Sequence, residues 1–175
     1  GEGPLAEVLQ RLEEKRPYTD IKNLWVKDKS GKVHKNSRRA LIKPLDVLRA
    51  GDKTLFDKYG AQTSRANIMT TRGCPYECTF CVNSFRNGLY TGEMYIRQRS
   101  VPHVIEQLIH LKKTYRPKAV RFHDDVFGFN VKWLTEFKDA YRKHINLPFH
   151  CTVTPSTAKD NIVKLLSEAG CAKVT

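Results

Sequence analysis

The sequence predicts an α/β fold: a partial (β/α) TIM-type barrel preceded by a helix and a β-hairpin linker. Three observations predict it. Beyond residue 62, short apolar runs alternate with stretches whose apolar residues recur at helical spacing. Capping residues and helix-ending Gly or Pro stand at the joints between them. The residues capable of chemistry, a cysteine cluster, a carboxylate pair and a run of hydroxyls, follow directly after strand segments, where parallel α/β folds gather function. A strand can pair parallel to its predecessor only after a crossover, and such crossovers are right-handed. A doubly wound open sheet fits the same alternation, and periodicity alone does not separate the two.

The elements follow in order. From Pro4 to Arg16, Leu5, Val8, Leu9 and Leu12 fall at helical spacing, with Pro4 suited to the first turn. "NLWVKDKSGKVHKN" alternates apolar and polar residues on both sides of a turn at Ser30 and Gly31, a two-stranded hairpin. Asn36 to Gly60 reads as a connector, and a boundary is expected near residue 62, dividing the chain into 1–61 and 62–175. "ANIMTT" is a first strand that delivers the cysteine loop. Ser100 caps a helix carrying Val101, Val104, Ile105, Leu108 and Leu111 on one face, with Pro117 beyond its end. "AVRFHDD" is the second strand; Asn130 caps a helix with Trp133, Leu134, Phe137 and Tyr141 inward; "PFHCTVT" is the third strand. Thr157 and Asp160 have capping-box spacing ahead of Ile162, Val163, Leu166 and Ala169, Gly170 ends that helix, and "CAKVT" begins a fourth strand.

Composition bounds the function. The chain has 175 residues, 40% of them hydrophobic and 28% charged, ordinary for a globular protein. Its apolar runs are too short to span a bilayer and no signal-peptide pattern opens it, so a cytoplasmic protein is expected. The chain starts without methionine and stops inside an apolar run, which reads as a piece of a longer protein. The formal net charge of +13 would suit an anionic partner, but the basic residues are dispersed with no tail, which weighs against nucleic acid.

Of five cysteines, three crowd one loop, "TTRGCPYECTFCVNS", as Cys74, Cys78 and Cys81. Thiolates clustered in a reducing compartment more often hold a metal than form disulfides. Structural zinc is normally closed by four ligands, commonly in two pairs, and only Cys78 and Cys81 have that spacing; a fourth ligand from elsewhere in the fold keeps zinc open. A 4Fe-4S cluster on three thiolates would leave one iron free for a small molecule. Cys151 and Cys171 read as small buried thiols.

C-x3-C-x2-C with an aromatic residue, Phe80, directly before the last cysteine resembles the signature loop of radical S-adenosylmethionine (SAM) enzymes. "TTRGCPYECTFC", "YIRQRSVPHVIEQL", "VRFHDDVF" and "LLSEAGC" follow in the order seen in the members that carry an N-terminal cobalamin-binding domain, and the opening "GEG", the first helix and the "LWVKDKSGKV" hairpin look like the end of that domain and its link to the barrel. The resemblance implies a barrel of the radical SAM kind and Cys74, Cys78 and Cys81 as cluster ligands, with SAM on the open iron and Phe80 near its adenine. It implies that "HDD" stands where other members hold the SAM amino group, giving that role to Asp124 and Asp125; capping the next loop is their ordinary alternative. It further implies cobalamin bound mainly upstream, an electron donor such as flavodoxin or ferredoxin, and a small-molecule or biosynthetic-intermediate substrate for methyl transfer or a related radical rearrangement. No catalytic residue is assigned. Arg97 and Arg99 can meet a carboxylate or hold a helix end; His123 and His150 read as satisfied strand histidines; Thr154, Ser156 and Thr157 read as cavity lining or caps. The competing reading is a zinc- or cluster-stabilised basic nucleic-acid-binding module. Half a barrel would leave a strand edge and apolar helix faces uncovered, so oligomerisation or poor solubility is expected of it alone.

Overall fold

The computed structural model of the chain describes residues 1–59 and 64–175. It divides into two compact units, Gly1–Leu41 and Ile42–Thr175. The boundary expected between 61 and 62 lies outside the described residues.

The first unit opens with α1 (Glu2–Glu13), which starts two residues earlier and ends three residues earlier than its apolar spacing predicts. Leu5, Leu9 and Leu12 are exposed and none of its residues is buried. The expected hairpin forms from β1 (Trp25–Lys27) and β2 (Val33–Lys35), paired antiparallel. Its turn is organised by Asp28: Oδ1 accepts from the Ser30 N–H at 2.9 Å, the Ser30 hydroxyl at 2.6 Å and the Lys32 N–H at 3.1 Å, and Oδ2 meets His34 Nε2 at 2.8 Å. Those donors hold the Asp28 carboxyl well below the usual range.

The second unit begins with a 3₁₀ turn at Leu45–Val47 and another at Thr54–Tyr59. It then runs β3 (Arg65–Ile68), β4 (Thr71–Arg72), α2 (Val82–Leu89), β5 (Arg97–Gln98), α3 (Val101–Tyr115), β6 (Ala119–Phe122), α4 (Val131–His144), β7 (Phe149–Cys151), α5 (Asp160–Ala169) and β8 (Cys171–Val174). Strands β3, β6, β7 and β8 form one parallel sheet in that order, and β4 pairs antiparallel with β5 beside it. The strand order never reverses, so the successive crossovers step one way. Helix α4 packs against both α3 and α5, as crossover helices on one face of the sheet must.

The helices form where caps and apolar spacing demand. The Ser100 hydroxyl accepts from the His103 N–H at 3.3 Å and Asn130 Oδ1 from the Trp133 N–H at 3.1 Å. Gly170 closes α5 at φ 99°. The capping box expected of Thr157 and Asp160 does not form: Lys159 is the N-cap of α5, and Thr157 turns back to donate to the Thr154 carbonyl at 2.9 Å. Between sheet and helices lies an aromatic core. Phe122 meets Phe137 edge-on at 5.5 Å and Phe149 at 5.4 Å, while Trp133 stacks on Phe137 at 5.0 Å. The buried Cys151 thiol is 3.8 Å from that of Cys171, which is partly exposed. Strand β8 is an edge among the described residues, and an apolar groove of about 230 Å³ lined by Val153, Val163, Leu166 and Val174 runs beside it. No described helix is long and apolar enough to cross a membrane.

Candidate active site

The site is built where β3 ends. Thr70 and Thr71 are buried there, and so is Asp124, two residues past β6 on the neighbouring strand. Asp124 Oδ1 accepts from the Thr70 N–H at 2.9 Å, the Thr70 hydroxyl at 2.8 Å, and both the N–H and the hydroxyl of Thr71. Burial pushes the Asp124 carboxyl up while the four donors pull it back. This carboxylate therefore ties the ends of two strands together immediately before the cysteines.

Gly73 then turns the chain at φ 97°. A Cβ there would lie 2.9 Å from the Tyr95 carbonyl oxygen and 3.0 Å from its ring, so only glycine fits both the conformation and the space. The β4–β5 ladder, which pairs Thr71 with Gln98 and Arg72 with Arg97, anchors the other side of the turn.

From Cys74 to Cys81 the loop lies open. All five cysteines are free thiols; Cys78 is exposed, and Cys74 and Cys81 are half-buried. The Cys81 N–H donates to the Cys78 carbonyl at 2.9 Å, a tight turn that makes Cys81 the N-cap of α2. Burial pushes the Cys74 thiol up, a backbone hydrogen bond at Tyr76 pulls it back, and the charges of Asp125, Cys81 and Cys78 add to the rise. Among the described residues no three His, Cys, Asp or Glu side chains converge as a metal-ligand set. Phe80 projects into solvent, 92% exposed.

The adjacent carboxylates Asp124 and Asp125 part ways. Asp125 Oδ2 accepts from Asn83 Nδ2 at 3.1 Å, and Asn83, buried on α2, accepts in turn from the Tyr95 hydroxyl at 3.3 Å. On the far side of the loop Tyr76 reaches the end of β7: its hydroxyl is 2.5 Å from Ser156 Oγ and 3.1 Å from Thr154 Oγ1. This hydroxyl cluster joins the cysteine loop to the third parallel strand.

Arg97 and Arg99 both bind backbone carbonyls. Arg99 is buried and donates to the carbonyls of Leu45 at 3.1 Å and Leu48 at 2.9 Å, while its own carbonyl accepts from Trp133 Nε1 at 2.8 Å. Arg97 donates to the carbonyls of Tyr95 and Ile42, each at 3.2 Å. His123 Nε2 meets Asn67 Oδ1 at 2.8 Å, as a satisfied strand histidine should. Reading the sequence missed helix α2 and Asn83. A signal existed in Val82, Phe85 and Leu89 at helical spacing, but the eight-residue run "VNSFRNGL" is short and rich in Asn, Ser and Gly.

No family model matches the chain. It is 31% identical to an uncharacterized methyltransferase of Pyrococcus horikoshii over 99% of its own length and 38% of that protein. It is also 31% identical to the bacteriochlorophyllide d C-8(2)-methyltransferase of Chlorobaculum tepidum over 74% of its length and 29% of that protein. The chain thus spans about a third of the length of the curated relatives it matches. Among solved structures it has the fold of part of the radical S-adenosylmethionine methyltransferase TsrM of Kitasatospora setae, a structure with cobalamin and a [4Fe-4S] cluster bound: TM-score 0.69, 19% identity, 99% of this chain and 36% of that one. It matches the cobalamin-dependent S-adenosylmethionine radical enzyme OxsB likewise, with TM-score 0.70 and 16% identity over 99% of this chain and 26% of that one.

Proposed function

We propose that the chain is the segment of a cobalamin-linked radical SAM enzyme in which Cys74, Cys78 and Cys81 hold a 4Fe-4S cluster whose open iron binds SAM. One observation carries the reading: three free thiols within eight residues, on the loop that follows the first strand of a parallel sheet wound in one direction. The named activities of the relatives and the shared fold support it. Three thiolates are the ligand chemistry such a cluster takes; here they are unpaired on one open loop without converging, so binding would draw that loop together. Unreversed strand order is that of a β/α barrel rather than a doubly wound sheet, so this unit is read as the first part of a barrel that later strands complete.

Held by Cys74, Cys78 and Cys81, a 4Fe-4S cluster would supply the electron for reductive cleavage of SAM at its sulfonium. The chain's own residues prepare the place. Asp124 locks the Thr70–Thr71 junction, and Gly73 lets the loop turn tightly against Tyr95. Asp125, held by Asn83 on the helix that follows the cysteines, would offer its carboxylate to the SAM ammonium group. Phe80, exposed on the loop, gives adenine an apolar face. Residues 1–61 are read as the end of a cobalamin domain with its linker, and residues 62–175 as the start of the barrel. The whole protein would be a cytoplasmic enzyme that draws electrons from a flavodoxin or ferredoxin and transfers a methyl group to a small molecule.

The test is anaerobic reconstitution with iron and sulfide, followed by electron paramagnetic resonance of the reduced sample. The expected result is a 4Fe-4S signal that changes on adding SAM and is absent from Cys78→Ala. A chain that binds one zinc and assembles no cluster would overturn the reading.

A further inference from the structure

We infer that the face of the parallel sheet opposite the helices, through Arg121, His150 and Lys173, binds the phosphate or phosphonate group of a small-molecule substrate; as a statement of substrate class it rests on the reading of the cysteine loop as the reaction centre. The register makes the row. Asn67 pairs with Arg121, Arg121 with His150 and His150 with Lys173, one residue from each of the four strands. An irregularity between Phe149 and His150 skips Ala172 and brings Lys173 opposite His150.

Such a row departs from what a parallel sheet ordinarily carries. Parallel strands are usually covered on both faces and apolar throughout, and a closed barrel is filled by branched apolar side chains. Here Val120, Phe122, Phe149 and Cys151 are buried on one face, whereas Arg121, His150, Asn67 and Lys173 stand half-buried or exposed on the other. Among the described residues, Arg121, His150 and Lys173 make no ion pair; Arg121 donates to Thr175 Oγ1 at 3.3 Å. His150 is pushed towards neutrality by burial and then by Arg65, Arg121 and Lys173. The register sets Arg121 and Lys173 on either side of one imidazole, a field that draws in an anion, and the forked guanidinium suits a tetrahedral oxyanion. The row crosses three inter-strand gaps, roughly 14 Å, enough for one substrate. It offers none of the aromatic platforms on which single-stranded nucleic acid stacks.

The test uses the full-length chain and methylphosphonate as probe, with His150 followed by NMR. At saturating methylphosphonate the His150 titration midpoint is expected to rise by about one pH unit. Arg121→Gln and Lys173→Gln are each expected to weaken binding about tenfold, with iron and sulfide content equal to the parent's. Lys173 is exposed, so its variant keeps the test open if Arg121→Gln misfolds. A still His150 signal, affinity unchanged in both variants, acetate bound as tightly as methylphosphonate, or a ten-nucleotide DNA bound more tightly through the same residues would each overturn the inference. Cys78→Ala is expected to lose the cluster and keep methylphosphonate, which separates a failure here from a failure of the cluster reading.

Discussion

Two faces of one sheet, one residue apart along the same strands, carry opposite chemistry. On the helix side Phe122 and Phe149 are fully buried and meet edge-on at 5.4 Å. Their sequence neighbours Arg121 and His150 point the other way, half-exposed and charged or titratable. The strand period of two divides the labour: the first face holds the fold, and the second is left for whatever the fold was built to hold. The carboxylate pair repeats the lesson at the strand end, with Asp124 buried among Thr70 and Thr71 and Asp125 exposed and bonded to Asn83.

The contrast can be broken by substitution. Phe122→Ala removes the centre of the aromatic core and is expected to cost about 3–5 kcal/mol in denaturant melts. Asp124→Ala strands the buried N–H groups of Thr70 and Thr71 and is expected to cost about 2–3 kcal/mol. Because burial raises the Asp124 carboxyl, its contribution is complete below the unfolded carboxylate value and falls as pH rises through the folded one. Asp124→Asn should flatten that part of the stability–pH curve. Gly73→Ala must adopt a left-handed conformation against Tyr95 and is expected to cost about 1 kcal/mol or more, with cluster loading reduced alongside. Arg121→Gln and Cys78→Ala are expected to stay within about 0.5 kcal/mol of the parent without cluster or ligand, since neither removes a buried contact. A large destabilisation from Arg121→Gln would mean the open face is structural after all.

Much of this was legible in the sequence, for local reasons. Ser100 and Asn130 cap because their side chains reach an N–H three residues on, and the apolar positions of α3 and α4 are buried as their spacing requires. Thr157 misled because its hydroxyl had a nearer partner in the Thr154 carbonyl. Helix α2 stayed hidden because it has only eight residues, rich in Asn, Ser and Gly, and its apolar Val82 and Phe85 are exposed rather than packed on a core. The basic row was invisible for a different reason: it exists only once four strands lie in register, and the skipped Ala172 that aligns Lys173 has no signature in the chain. The separate fates of Asp124 and Asp125 likewise depend on Thr70, Thr71 and Asn83, all distant in sequence.

The most direct test of the central claim is to reduce the reconstituted protein anaerobically with SAM and quantify methionine by mass spectrometry. The account predicts methionine formation that is abolished when Cys74, Cys78 and Cys81 are all alanine. Intact SAM over a fully assembled cluster would contradict it and leave the cluster a structural part of the fold.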